Sequence, residues 1–292
     1  MTVAERPAWV DDELFPFESQ FIDIDGHHVH YVDEGSGPTL LFLHGNPTWS
    51  FDYSQIIKSL RGEFRCIAVD YPGFGLSVAA PGYRYLPSEH AEVIGKFVDA
   101  LRLSGATLVA HDWGGPIGLA TVQHHPDSFD RLVLTNTWAW PVGAPMIQIM
   151  SHVMGSPVGR LLIQQLNLFV NVMIPVGHRL TKPTKKQMAH YQKALDSPTR
   201  REAAAVFPRQ ITASRAFLAD VAAGLPDIST LPTLIIWGDG DFAFGDEELQ
   251  RWQQTFTDQE TVIVEGAGHY VPSDAPEQFT AAIRRWYPRS GS

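Results

Sequence analysis

Six runs of apolar residues, each closed by a small or polar residue, constrain this chain more than any other feature. They are "TLLFLHG" (39–45), "FRCIAVDYPG" (64–73), "TLVAHDWGG" (107–115), "RLVLTNTW" (131–138), "PTLIIWGDGD" (232–241) and "ETVIVEGAGH" (260–269). Residues apolar at successive rather than alternate positions suit strands buried on both faces, as in a parallel sheet covered by helices. Ahead of them, "FIDIDGHHVHYVDEG" (21–35) alternates around Asp25-Gly26, a hairpin signal. His27, His28 and His30 fall on that hairpin and are expected to be exposed, with no carboxylate at ligand spacing and so no metal site. Between the runs lie helical patterns. "PSEHAEVIGKFVDALRL" (87–103) puts Val93, Ile94, Phe97, Val98 and Leu101 on one stripe, with Ser88 as the expected N-cap beside Pro87. "PEQFTAAIRRWY" (276–287) reads as a terminal helix. This alternation predicts an α/β fold: a mostly parallel, doubly wound sheet with right-handed crossovers.

One stretch breaks the rhythm. Residues 141–230 contain no convincing strand; they read as helices interrupted by Pro and Gly, with frequent Met. The expected division is therefore a core domain of residues 1–140 and 231–292, with 141–230 inserted as a helical cap. Such an insertion lies over the sheet's C-terminal edge, where open α/β sheets bind ligands. A chain of 292 residues, 44% hydrophobic, is long enough for one large core with a lid. The net charge of −10 argues against a nucleic-acid partner and against binding to acidic membrane lipids. The opening "MTVAERPAWVDDELF" lacks the apolar segment of a secretory signal, and "NLFVNVMIPV" (167–176) is too short to span a bilayer and contains Pro175. The single cysteine, Cys66, excludes a disulfide within the chain and a four-cysteine zinc site; burial on a strand is its expected role. Cytoplasmic residence is the default expectation.

The chemistry concentrates at the ends of the runs. "AHDWGG" places Asp112 between a strand and a helix, with small residues at Ala110 and Gly114. This is a nucleophile-elbow pattern with Asp in place of Ser, and the turn demands small neighbours. Taken alone, the motif equally fits an N-cap aspartate. An elbow nucleophile needs an acid and then a base later in the chain. Asp241 in "WGDGDFAFG" and His269 in "GAGHYVPSDAPE" occupy those slots, while Asp239, Asp246 and Glu247 read as solvated or capping carboxylates. "LFLHGNPTWS" (41–50) offers the backbone N–H of Asn46, which would pair with that of Trp113 as an oxyanion hole. The Asn46 amide and the Trp113 indole supply two further donors, a set that suits a small anion. Trp138 and Phe244 are candidate pocket walls, and His111 reads as a structural hydrogen-bonder.

"HGNPTWS", "DYPGFGLS", "HDWGGPIG", "WGDGDFAFG" and "GAGHYVPSDAPE" together resemble a haloalkane dehalogenase of the α/β-hydrolase superfamily, over nearly the whole chain. The resemblance implies Asp112 as nucleophile, His269 as base, and Asn46 with Trp113 as the halide-holding pair. Where one subfamily carries a Glu after the sixth strand, "LTNTWAWP" has Asn136, so the acid falls to Asp241. The pattern is most similar to the third subfamily, which implies self-association into a homo-oligomer. The implied substrate is a small halogenated organic molecule, brominated compounds being the readier ones, with halide released and neither cofactor nor metal required. A serine at the apex would form an ether that water cannot clear, whereas an aspartyl ester is hydrolysable. One departure stands out: Asp52 and Ser54 in "SFDYSQ" replace an apolar and a basic residue usual in the family. Two other readings use the same residues. Epoxide hydrolases share the Asp nucleophile but hold the substrate oxygen with two cap tyrosines, and 141–230 contains only Tyr191. A non-catalytic, assembly-forming relative would have no use for Asp112, Asp241 and His269 together.

Overall fold

A computed structural model describes residues 5–287; the first four residues of the acidic opening stretch lie outside the described residues. Eight strands form one sheet: β1 (Gln20–Ile24), β2 (His27–Glu34), β3 (Thr39–Leu43), β4 (Arg65–Val69), β5 (Ala106–Asp112), β6 (Phe129–Thr137), β7 (Thr233–Gly238) and β8 (Gln259–Val264). Their order across the sheet is β1-β2-β4-β3-β5-β6-β7-β8. The β1–β2 and β2–β4 pairs are antiparallel, and every other pair is parallel. All seven residues of β5 are buried, as a central strand covered on both faces requires. The winding reverses at β3, which lies between β4 and β5. The loops leaving β3 and β5 therefore part at the sheet's C-terminal edge and open a crevice there.

Three helices precede the sixth strand: α1 (Ser54–Leu60), α2 (Pro87–Ala100) and α3 (Gly114–His124). The regular elements of the segment between β6 and β7 are all helices: α4 (Pro145–Met154), α5 (Pro157–Leu166), α6 (Ile174–Gly177), α7 (Lys185–Ala194), α8 (Glu202–Ala213) and α9 (Arg215–Ile228), with a π-helical turn at Phe169–Met173. Within it, α4 packs on α8, whereas α9 lies against α3 beside the sheet. After β7 come α10 (Asp246–Thr255), α11 (Val271–Asp274) and α12 (Pro276–Trp286). Among the described residues, no helix is long and apolar enough to cross a membrane. Cys66 is buried on β4, as expected of a small hydrophobe.

The hairpin forms as the Asp25-Gly26 signal predicts, with φ of 53° and 81° at the two turn residues, a left-handed pair that matches the strand twist. The expected exposure of its histidines is corrected. His30 is fully buried: its Nδ1 donates to Asp70 at 2.8 Å. His27 is also buried and accepts the Ala80 N–H at 2.8 Å, and only His28 stays partly open. The physical reason is that β2 is not a free edge. It pairs with β4, so one of its faces belongs to the core. Asp70 also accepts the N–H groups of Ser50 and Leu76, each at 2.8 Å, and so ties the loops after β3 and β4 together. The start of α2 is corrected too. Pro87 takes the first helical position and Leu86 the cap, with the Glu89 carboxylate accepting the Leu86 N–H at 3.3 Å. Pro's fixed φ and missing N–H suit that first position better than a cap at Ser88.

Candidate active site

The strand β5 delivers Asp112 to the crevice with φ of +50°, a backbone conformation that costs energy for a residue with a side chain. Its surroundings hold it there. Thr137 Oγ1 donates to the Asp112 carbonyl at 2.6 Å. A Cβ on Gly115 would collide with that same hydroxyl, and one on Gly45 would strike the Asp112 carboxyl, so both neighbours must be glycine. The Asn46 backbone N–H donates to Asp112 Oδ1 at 2.8 Å, and the Trp113 N–H bonds the same carboxylate. Burial raises the Asp112 pKa, while His269 and these two donors oppose the rise.

His269 follows β8 and is clamped through its backbone. Its N–H donates to the Gly177 carbonyl at 2.8 Å, and its carbonyl accepts His111 Nε2 at 2.8 Å. His111 is thus placed as the structural hydrogen-bonder the sequence suggests. The His269 ring points Nε2 at Asp112 Oδ2, 3.8 Å away, and Nδ1 at Asp241 Oδ2, 3.0 Å away. Asp241 in turn accepts the Ala243 N–H at 2.7 Å and the Asn136 amide at 2.8 Å. Burial disfavours a charged His269, but the carboxylates of Asp241, Asp112 and Asp52 outweigh it and raise its pKa to about 9. Burial likewise works against the Asp241 carboxylate, yet His269 holds it below its ordinary range. None of the rival carboxylates is hydrogen-bonded to His269: Asp239 accepts the Gly266 N–H, and Asp246 and Glu247 sit in the first turn of α10, where Glu247 also lines the cavity over the site.

A cavity of about 880 Å³ opens over this group, lined by Asn46, Asp112, Trp113, Trp138, Phe244 and His269 at its floor and by Met150, Met154, Phe169 and Ile211 from the helical segment. Trp113 stands edge-on to Trp138 at 4.6 Å between centroids, and Phe244 stacks on both Trp138 and His269. The Asn46 carboxamide is poorly served by the protein: its Oδ1 is buried without a partner, and its Nδ2 reaches only the Ala204 carbonyl at 3.5 Å. A buried polar group left open at a cavity wall is placed for a ligand. Tyr191, the one tyrosine of residues 141–230, does not line the cavity; its hydroxyl donates to Asp52 at 2.9 Å.

Sequence reasoning missed several contributors. Asn136 was marked only by the carboxylate it lacks; in the fold its amide bridges Gly238 and Asp241. Phe207, which packs edge-on against Trp113 at 5.0 Å, gave no signal beyond an apolar helix face. Asp52 stood out in the sequence only as a departure from the family pattern; in the fold it is buried, with its carboxylate among those that raise the His269 pKa.

Residues 38–276 match the family model described as the alpha/beta hydrolase fold. Haloalkane dehalogenase 2 of Mycobacterium tuberculosis is 44% identical over 277 residues, covering 94% of this chain and 96% of that protein. The cis-3-alkyl-4-alkyloxetan-2-one decarboxylase of Shewanella oneidensis is 30% identical over 94% of this chain and 90% of its own length. Among solved structures, a haloalkane dehalogenase from Agrobacterium tumefaciens superposes with a TM-score of 0.85 at 26% identity, covering 94% of this chain and 97% of that one.

Proposed function

The chain belongs to the haloalkane dehalogenases of the alpha/beta hydrolase fold, and from that premise we propose a two-step hydrolysis carried by Asp112, His269 and Asp241. In the first step an Asp112 oxygen attacks the carbon bearing the halogen. The new C–O bond forms as the C–X bond breaks, and halide departs toward the Asn46 amide and the Trp113 indole. These donors act on charge that develops only as the bond breaks, so they favour the transition state over the ground state. In the second step His269 Nε2 takes a proton from water, and the hydroxide attacks the carboxyl carbon of the Asp112 ester. The Asn46 and Trp113 backbone N–H groups hold the resulting oxyanion. Collapse expels the alcohol and restores the carboxylate, so the sum is haloalkane plus water giving alcohol, halide and a proton. Asp241 keeps Nδ1 of His269 protonated and stabilises the imidazolium that forms.

The observation that carries this reading is the line Asp112–His269–Asp241, with Nε2 3.8 Å from the carboxylate and Nδ1 3.0 Å from its partner. Residues 141–230 then act as a cap over the core formed by 1–140 and 231–292. The exposed apolar side chains of Met146, Ile149, Val153, Val158 and Leu161 on α4 and α5 support self-association as a homo-oligomer. The test is halide release from a panel of bromoalkanes, with Asp112→Ala and His269→Phe alongside. Release by the wild type, none by Asp112→Ala, and an intact-mass gain equal to the alkyl group in His269→Phe are expected. No release and no mass gain in any variant would overturn the mechanism. Supplying a cis-3,4-dialkyl-oxetan-2-one in the same panel separates this chemistry from that of the decarboxylase relative.

A further inference from the structure

Asp52, one of the two residues that depart from the family pattern, lies fully buried in the 3₁₀ turn Ser50–Tyr53, just ahead of α1. Its Oδ1 is the meeting point of three elements. Tyr191 from α7 donates to it at 2.9 Å, and Ser273 from α11 at 2.6 Å. Ser273 Oγ is also 2.8 Å from Nε2 of His178, the residue that follows α6, and His178 Nδ1 donates to the Ile174 carbonyl at 2.7 Å. The chain Asp52–Ser273–His178 therefore joins the two segments that grip the base. Ser273 is four residues after His269, and His178 follows Gly177, whose carbonyl accepts the His269 N–H. Between them the Tyr270 ring stacks on His178 at 5.1 Å and leaves no room for a Cβ on Gly177.

The hydrogen count within the chain is fixed. A carbonyl only accepts, so His178 Nδ1 carries a hydrogen. Ser273 has one hydroxyl hydrogen to share between Asp52 and His178. All three bonds are made together only when the chain holds one further proton, on the Asp52 carboxyl or on His178. Burial, the largest influence, raises the Asp52 pKa to about 6 against the donors Ser273 and Tyr191 and the nearby His269. Its second oxygen, Oδ2, has no partner. A buried carboxyl with one oxygen unserved is costly, and a purely apolar side chain would fill this place at less cost.

We propose that Asp52 is a positioning residue for the dehalogenation, acting through Ser273 and His178 to fix the backbone of His269 for attack on the ester. The proposal rests on the two-step reading above and makes a step-specific claim. Alkylation needs Asp112 and the halide donors, not the base; ester hydrolysis needs His269 in place. A base displaced by about an ångström loses on the order of a hundredfold in rate.

The experiment follows both steps by intact mass after rapid mixing of the full-length protein with 1-bromobutane. Asp52→Ala and Ser273→Ala are expected to form the alkyl-enzyme at the wild-type rate and to hydrolyse it about ten- to a hundredfold more slowly, so that the adduct accumulates. Asp52→Asn supplies the missing hydrogen permanently through its amide and is expected to restore hydrolysis to within a few-fold of wild type. Ser273→Ala keeps the Asp52–Tyr191 bond and so remains informative if Asp52→Ala fails to fold. Equal slowing of both steps, or unchanged hydrolysis in Ser273→Ala, would overturn the proposal while leaving the mechanism standing. An Asp52→Asn variant as slow as Asp52→Ala would overturn it too. Absence of adduct even in His269→Phe would overturn the mechanism, and this inference with it.

Discussion

The 3.8 Å gap between His269 Nε2 and Asp112 Oδ2 sets up a change of charge during the reaction. Before alkylation, His269 faces two carboxylates in the site, with Asp52 adding a third influence, and its pKa lies at about 9. At neutral pH it is an imidazolium and cannot act as a base. Esterification removes the Asp112 charge. A charge pair near 4 Å in an effective dielectric of 20 is worth about 4 kcal/mol, and each pH unit corresponds to about 1.4 kcal/mol. Losing Asp112's charge should therefore lower the His269 midpoint by about three pH units, to near 6, freeing the ring to take a proton from water. Asp112→Asn mimics the neutral ester without chemistry. Nitrogen NMR of histidine-labelled protein, titrated in wild type and Asp112→Asn, measures the two midpoints directly. If the midpoints agree within about half a pH unit, or the variant's is the higher, the charge argument is wrong and His269 must be made available in some other way.

Four further outcomes follow from the same structure. Asp241→Asn leaves His269 without the largest of the influences that raise its pKa, so alkyl-enzyme should accumulate; and wild-type stability, with the His269 contribution full below pH 6.5 and lost as the pH rises towards 9, should show a weaker dependence in thermal melts of the variant. Asp70→Ala strips a fully buried carboxylate from His30 and two backbone donors and should cost about 3–5 kcal/mol in urea unfolding. Gly115→Ala drives a methyl group into the Thr137 hydroxyl beneath the nucleophile; overpacking of this kind costs about 1–3 kcal/mol, and halide release should fall more steeply than stability because the elbow itself moves. The 880 Å³ cavity lies in the upper part of the ligand-site range of about 300–1,000 Å³. Each added methylene is worth about 0.8 kcal/mol on burial, so kcat/KM should climb about fourfold per carbon from bromoethane to bromohexane; a flat series would mean the cavity is not where the chain is held.

The sheet was legible because its strands are apolar at successive positions, a signal that few other structures produce. The grouping of Asp112, Asp241 and His269 was legible because each member ends or follows such a strand, so chain order translated into spatial order at one edge. What escaped was whatever depends on contacts far apart in sequence. Nothing near His30 in the chain announces Asp70, which lies 40 residues on. Asp52 showed only as a departure from the family pattern, because its partners Tyr191 and Ser273 are 139 and 221 residues away. Asn136 was read by what it is not, and its hydrogen bonds to Gly238 and Asp241 exist only once β6 and β7 are side by side.

The placement of β8 at the rim of the sheet has a consequence for how this enzyme ages. Asp112 is anchored in the middle of the sheet on β5, whereas His269 hangs from its outermost strand, which has only β7 for a neighbour and whose residues are mostly half-exposed. Local opening starts at such rims and costs far less than global unfolding. On the proposed mechanism, a molecule frayed there keeps its electrophile trap and loses the means to empty it. Heat or mild denaturant should thus convert a catalyst into a stoichiometric scavenger, one that takes up a single alkyl group and is then permanently spent.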